Sequence, residues 1–380
     1  MSLENITYSW STSVEELDPE QWNSCFEEGD VLNSYEMMQA LLSASFENIE
    51  FHILFVKKND ITLAIIPCYV QRTLIDIAAP QVVHSLCNKI RKLHHSFFTS
   101  KVLFVGIPIA ICKGSLGISK VREDSSGLLL KLSEQLEIKG KSLGAKSIVL
   151  KEIEDNDLEY IKSNLPPSWR YVSSHPTSII NIDPKTSYKK RLRNRYRAVY
   201  KQRRGLFEKN ELIWEKVSVS SSNIDEIYRL FKEVEENQRP LLPRPKDFFH
   251  NLVALSEEDL FIIVAKKNGA CLAFGLLVIE NKSLFLIYIG FDYKHRDSYA
   301  LYYNTLYRAI DEAERLQCSE LRLGQTSYKS KALIGASFRP LHLGVLPLSN
   351  GHRFMVSNFE EILFPQTELP NFRALKELVK

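Results

Sequence analysis

What this 380-residue chain lacks narrows its chemistry first. Its six cysteines, Cys25, Cys68, Cys87, Cys112, Cys271 and Cys318, lie far apart and form no C-x-x-C pair, which argues against a zinc site and a disulfide framework. Its nine histidines supply no H-E-x-x-H or H-x-H, and the adjacent His94 and His95 cannot face one site from a regular helix or strand, so no metal is expected. No apolar run approaches the roughly 18 residues of a membrane span, and Met1 to Tyr8 shows no basic segment leading into an apolar one. The expectation is a soluble, cytoplasmic protein with reduced thiols. A net charge of +3 leaves little overall attraction for nucleic acid, and 44% hydrophobic with 25% charged residues excludes long disorder.

At this length one hydrophobic core is not enough, so two domains are expected, with a boundary near Asp183-Pro184 that gives 1–183 and 184–380. The first half reads as helices at Pro19 to Phe26 and Ser34 to Leu42, then strands at Phe51 to Val56, Thr62 to Val70 and Val102 to Val105. A helix at Ser125 to Ile138, a strand at Ile148 to Leu150, a short helix near Leu158 to Ser163 and a strand at Trp169 to Val172 complete it. The second half repeats this grammar. Strand Leu212 to Val219 leads into a helix signalled by Ser222 with Asp225 three residues on, whose stripe is Ile224, Ile227, Phe231 and Val234. Strands follow at Leu260 to Ala265, Cys271 to Ile279 and Ser283 to Ile289, then helix Tyr299 to Leu316, strand Leu321 to Gly324 and a short helix carrying Tyr328 and Lys331. The common ending suggests an internal duplication of one α/β unit.

Between the halves, residues 185–204 carry ten Lys or Arg and no acid. Tyr188, Leu192, Tyr196 and Val199 recur at three- and four-residue steps, which predicts one helix with a narrow apolar seam and a broad cationic face. That face either binds a phosphate-rich ligand such as tRNA or docks on acidic neighbours such as Glu233, Glu235 and Glu236.

Four features carry a family likeness: the L-G-x-x-x-Y-x-x-K-x-x-x-G-A spacing from Leu323 to Ala336, the Tyr-rich helix before it, the basic helix, and Ile65-Ile-Pro-Cys-Tyr69 ending an early strand. On these the chain resembles a tandem GNAT-fold N-acyltransferase of the Fem-like branch, related to the peptidoglycan aminoacyltransferases. The resemblance implies an α/β (α+β) protein of two GNAT-like units, each a mixed, mostly antiparallel sheet flanked by helices, with the second unit catalytic. It also implies transfer of an acyl group to a substrate amine, with no bound cofactor and with acyl-CoA or aminoacyl-tRNA as co-substrate. A GNAT domain that binds acetyl-CoA carries a glycine-rich turn after its fourth strand. Here that loop reads Phe291-Asp-Tyr-Lys-His-Arg-Asp-Ser298, without glycine. A non-catalytic module built on the same scaffold is therefore a second kind of reading.

The resemblance points to particular residues. Lys331 would neutralise substrate anion or stabilise an oxyanion, and Tyr328 would protonate the leaving group. Backbone amides at the strand end, with Gly290 permitting close approach, would hold the donor carbonyl. Lys294, His295, Arg296 and Ser298 precede a helix N-terminus that favours anions and would hold donor phosphate, with Asp297 or Ser298 as cap. Asp292, Glu235, Glu236 and His250 are unranked general-base candidates. Each has a plainer reading: a solvated loop, an ordinary strand end, a surface lysine. Cys271, inside an apolar strand, is expected to be a small hydrophobe and no nucleophile.

Overall fold

The computed structural model describes residues 5–13, 18–76, 79–119, 126–220, 222–238 and 242–376. Its strands are β1 (Ile6–Ser11), β2 (Ile49–Lys58), β3 (Ile61–Leu74), β4 (Thr99–Val105), β5 (Gly117–Ile118), β6 (Ser147–Glu154), β7 (Arg170–Ser173), β8 (Thr177–Asn181), β9 (Ile213–Val217), β10 (Leu260–Lys267), β11 (Ala270–Glu280), β12 (Ser283–Phe291), β13 (Glu320–Arg322), β14 (Ser337–Arg339) and β15 (Leu341–Pro347). Helices α1 (Pro19–Ser24), α2 (Tyr35–Leu42), α3 (Gln81–Arg91), α4 (Ser126–Ser142) and α5 (Asp155–Asn164) belong to the first half. The rest are α6 (Tyr188–Arg191), α7 (Asn194–Lys209), α8 (Ile224–Gln238), α9 (Lys246–Asn251), α10 (Leu301–Arg315), α11 (Tyr328–Leu333), α12 (Asn350–Asn358) and α13 (Glu360–Leu363).

Two mixed, mostly antiparallel sheets result, as the resemblance implies. The first runs β1-β2-β3-β4-β6-β15-β7 with β5 beside β3; the second runs β14-β8-β13-β12-β11-β10-β9. Each holds one parallel pair, β4 with β6 and β12 with β13, and in each a helix makes the crossover that parallel strands require. The common ending read from the sequence is thus a common topology.

The sheets do not divide at Asp183-Pro184. Strand β8 lies before that point yet pairs with β13 and β14, and β15 lies far beyond it yet pairs with β6 and β7 of the first sheet. Their side chains explain the exchange, because Ile179 and Ile180 are buried in the second unit and Val345 and Leu346 in the first. One apolar cluster also spans both units, joining Trp22, Met37, Ile53 and Ile109 to Phe231, Phe248, Phe274 and Tyr288.

Local expectations need three corrections. The helix placed at 125–138 runs a turn further, to Ser142, and its Ser125 lies outside the described residues. Helix α8 begins after Asn223, whose side chain accepts from the Glu226 amide at 3.4 Å, while the Ser222 hydroxyl turns back to the Val219 carbonyl. The basic segment is two helices: α6 stops at Leu192, pinned by a bridge to Leu375, and α7 starts at Asn194.

Candidate active site at the strand splay

Strand β12 pairs with β13 at Ser283, Leu284 and Phe285 alone, and among the described residues 286–291 run on with no strand partner on that side. Against β11 the register slips between Leu276–Tyr288 and Leu277–Leu286, so Ile287 is an extra residue. Such a bulge bends the strand and turns its edge away from β13. The chain leaving β13 turns at Gly324, Thr326 and Ser327, with φ of 69°, 63° and 50°, before α11 begins. A β-branched threonine in left-handed conformation costs energy and persists where its surroundings hold it.

Lys331 does the holding. Its Nζ donates to the carbonyls of Gly324 (3.1 Å) and Gln325 (2.6 Å) from a side chain 5% exposed. This lysine is buried, so the surface reading fails. No ion pair among the described residues includes it. Burial drives its pKa down to about 7, opposed by the nearby Cys112 thiol. A neutral amine has two N–H groups, which the two carbonyls take up, and one lone pair. Tyr328, one turn earlier, donates to the Pro176 carbonyl at 3.0 Å, and burial raises its hydroxyl to about 12. Tyr328 also forms a wall of an open groove of about 570 Å³, whose lining includes the charged Lys329 and Glu368 and the apolar Leu369, Pro370 and Phe372.

From Lys331 a polar seam continues between the units. Cys112, at φ 60° and buried, lies beside Thr177, Lys331 and Glu152; burial, then the Glu152 charge, raises its thiol to about 12. Glu152, at φ 54°, accepts from the amides of Ile111 (3.2 Å) and Cys112 (3.1 Å), and burial raises its carboxyl against the pull of Lys151 and those amides. Lys151 donates to the carbonyls of Ile107 (2.6 Å) and Ile109 (3.3 Å) and lies 5.5 Å over the Tyr69 ring. Arg244 follows, its guanidinium 5.8 Å from the centre of the Tyr288 ring on the unpaired stretch of β12. The Tyr288 hydroxyl, buried, makes no hydrogen bond of ordinary geometry among the described residues. Glu235 closes the seam: its carboxylate, 3% exposed, pairs with Lys232 at 2.8 Å and accepts from the Arg244 amide at 3.0 Å.

Other expected site residues take plainer roles. Gly290 does not open the strand end to a carbonyl: a Cβ there would meet Phe274 at 2.2 Å and the α8 backbone at Leu230 and Phe231 at 2.7 and 2.8 Å. The missing side chain lets α8 lie on the sheet. Asp292 is tied into its own turn, accepting from the amides of Lys294 (2.8 Å) and His295 (3.3 Å). Arg296 is forked onto Asp297 at 2.9 and 2.8 Å, and the Ser298 hydroxyl donates to the His295 carbonyl at 3.2 Å. Neither Asp297 nor Ser298 caps α10, which starts after Ala300 at φ 49° with no side-chain cap. Lys294 is exposed, and His295 stacks on Tyr299 with ring centres 5.1 Å apart. This loop meets α8, where Glu233 accepts from the Tyr293 amide; Tyr302 spans toward the lysine cluster, packing on Phe291 and lying beside Ser327. Of the general-base candidates, Glu235 alone enters the seam.

The basic helices dock on α10 and not on Glu233, Glu235 and Glu236. Arg204 pairs with Asp311 at 3.0 Å, Arg203 lies 3.3 Å over the Tyr303 ring, and Tyr200 joins Tyr188 and Tyr307 in the core. Arg197 closes the end of α6 by donating to the carbonyls of Lys189, Lys190 and Leu192. Lys189, Lys190, Arg193, Arg195 and Lys201 remain exposed, in no ion pair among the described residues.

Residues 193–331 match the family described as an acetyltransferase (GNAT) domain. Among solved structures the chain is similar to FemX (TM-score 0.54, 11% identity, 93% of this chain and 99% of that one). It is also similar to the C-terminal domain of a putative lysylphosphatidylglycerol synthetase from Agrobacterium fabrum (0.52, 13%, 93% and 98%). L-PGS from Bacillus licheniformis is a third (0.53, 14%, 91% and 95%). No curated protein matches the chain.

Proposed function

We propose, from the premise that this chain is an acyltransferase with a GNAT domain at residues 193–331, that it forms an amide between an acyl-CoA-type donor and a substrate amine at the mouth of the β12–β13 splay. The observation that carries this reading is Lys331, a buried amine poised near neutrality with no carboxylate beside it among the described residues. In its neutral form it takes the proton that the attacking amine must lose, directly or through a water. The new C–N bond forms as the donor carbonyl becomes tetrahedral, the C–S bond then breaks, and Tyr328 protonates the departing thiolate. Backbone amides along the edge of β12 that β13 leaves after Phe285 would steady the oxyanion, in the role first assigned to Gly290. The groove beside Tyr328 would seat a substrate with an apolar flank, against Leu369, Pro370 and Phe372.

A second reading rests on the cations of α6 and α7: an aminoacyl-tRNA donor, held through its phosphates by Lys189, Lys190, Arg193, Arg195 and Lys201. Purified protein offered acetyl-CoA, longer acyl-CoAs or bulk tRNA, followed by thermal shift and by amide formation with a panel of amines, tests both. A true donor raises the melting temperature. Transfer from acyl-CoA without tRNA removes the second reading; no stabilisation or turnover with any acyl-CoA removes the first.

A further inference from the structure

Helix α3, inserted between β3 and β4, shows apolar side chains to solvent as well as to the fold. Its polar side chains anchor it: Asp76, fully buried at the end of β3, receives Arg91 and the His84 ring, the latter at 2.9 Å, and Arg91 also donates to the Phe97 carbonyl at 2.9 Å. Within the helix Cys87 alone is buried. Val83 and Ile90 are half-buried, whereas three large aliphatic side chains point outward: Val82, 80% exposed, Leu86, 59%, and, just past the helix, Leu93, 82%. At 100° per residue 82, 86 and 93 fall within an arc of about 40°, so they form one stripe. Lys89 lies at the edge of that stripe, with Lys92 on the same side, and His94 and His95 follow in the turn after the helix, all exposed.

Charge singles the region out further. From Ile77 through Arg122 the sequence contains no acidic residue, and Asp76, which precedes it, is consumed by Arg91 and His84. The surface is therefore cationic and apolar at once. A protein interface of this size would favour Tyr, Trp and Arg anchors and would disfavour Lys. An aliphatic stripe edged by lysines, on a helix with a strong apolar face but low overall hydrophobicity, fits the boundary of a lipid bilayer. Lysine stems lie along the hydrocarbon while their ammonium groups reach phosphate. The stacked pair Phe97 and Phe98, half-buried with ring centres 5.4 Å apart, closes the segment with aromatic surface of the kind found at that depth.

We propose that α3 and the turn after it dock this protein on an anionic phospholipid surface, with Val82, Leu86 and Leu93 entering the headgroup boundary and Lys89 and Lys92 meeting lipid phosphate. The surface lies at the β4-start end of the first sheet, whereas Cys112 and Glu152 follow the opposite end, so docking leaves the strand splay uncovered. The proposal is independent of the acyl donor.

The test is sedimentation of the full chain with vesicles of phosphatidylcholine containing 30% phosphatidylglycerol, against phosphatidylcholine alone. The wild type pellets with the anionic vesicles and stays in solution with the neutral ones. Val82→Asp with Leu86→Asp lowers the bound fraction about tenfold, Lys89→Glu with Lys92→Glu does so severalfold, and 0.5 M salt weakens the wild type. All four positions are exposed, so unchanged circular dichroism and melting show that the variants fold. No pelleting with anionic vesicles, or equal pelleting by wild type and the aspartate variant, overturns the proposal. A wild-type dimer in sedimentation velocity without lipid, dissolved by the aspartate pair, also overturns it and assigns the stripe to a second copy of the chain.

Discussion

Each sheet contains one parallel strand pair, and the two end differently. In the first, β4 stays beside β6 up to its last residue, Val105, after which the chain leaves through Gly106 toward the other unit. In the second, β12 leaves β13 after Phe285 and runs six residues further with one edge bare. The same topology thus gives a closed sheet in one unit and an opened one in the other. What differs along that edge is one extra residue, Ile287, and which strand runs on: in the first sheet β6 outlasts β4, in the second β12 outlasts β13. The site proposed above rests on a backbone edge that β13 leaves without a strand partner, and the other unit contributes the loop 106–115 with Cys112 and the seam residues Lys151 and Glu152.

That contrast can be broken most forcefully at Lys331. Lys331→Met is expected to lower kcat/KM roughly a hundredfold or more, and to abolish a rise in rate with pH centred near 7 in the wild type. A wild type whose rate falls as pH passes 7 would show that the lysine acts as a cation. The same residue gives a stability signature. Its folded pKa of about 7 lies below its unfolded value of 10.5, so the cost of burying it is complete below pH 7 and fades as pH rises toward 10.5. Urea midpoints should show a pH 7 to 10 gain, at most roughly 4 kcal/mol, that Lys331→Met lacks.

Next in size are the glycines of the two strand ends. Gly290→Ala forces a methyl group into the α8 backbone and should cost about 3 kcal/mol or prevent folding. Gly106→Ala has room, with its nearest atom at 3.7 Å, and is opposed by its φ of +124° alone, so about 1–2 kcal/mol is expected. Equal losses in chemical denaturation would mean that α8 does not press on the second sheet as described. Tyr328→Phe comes after these: roughly tenfold in kcat, with stability changed by about 1 kcal/mol through loss of the bond to Pro176. An unchanged kcat would remove the tyrosine from proton transfer. The smallest effect is expected from Lys189→Glu with Arg195→Glu, which should leave acyl-CoA turnover intact. A tRNA-dependent enzyme would lose activity here and show a shallower salt dependence in binding.

Periodicity made most of the elements legible. The stripes of α8 and α10 and the apolar runs of β2, β3, β10, β11 and β12 are dense enough that little else could form there. Strand partnership was not legible, because Ile179 and Val345 look like any buried strand residues and nothing local says which sheet will accept them. At the site, the spacing of Tyr328 and Lys331 placed both on α11, but not the depth of the lysine, which follows from a left-handed turn at Thr326 and Ser327 that non-glycine residues seldom adopt. The seam was the least visible feature. Tyr69, Lys151, Glu152, Arg244 and Tyr288 are scattered along more than half the chain; Tyr69 ends the Ile65-Ile-Pro-Cys-Tyr69 run and Tyr288 lies in the strand that leads to Gly290, but nothing local joins either to the other three. Loop residues 292–298 were conspicuous because they are charged, yet Asp292 holds the backbone amides of Lys294 and His295, Asp297 pairs with Arg296, and Lys294 is exposed.

The traded strands carry a consequence for how such a molecule can be cut or recombined. With β8 lent forward and β15 sent back, a protein severed at 183 would leave one fragment holding a strand it cannot use and missing another it needs. Neither half is a transplantable module, and melting should proceed as one event rather than two. Two units of like topology become, through this lacing, one cooperative body.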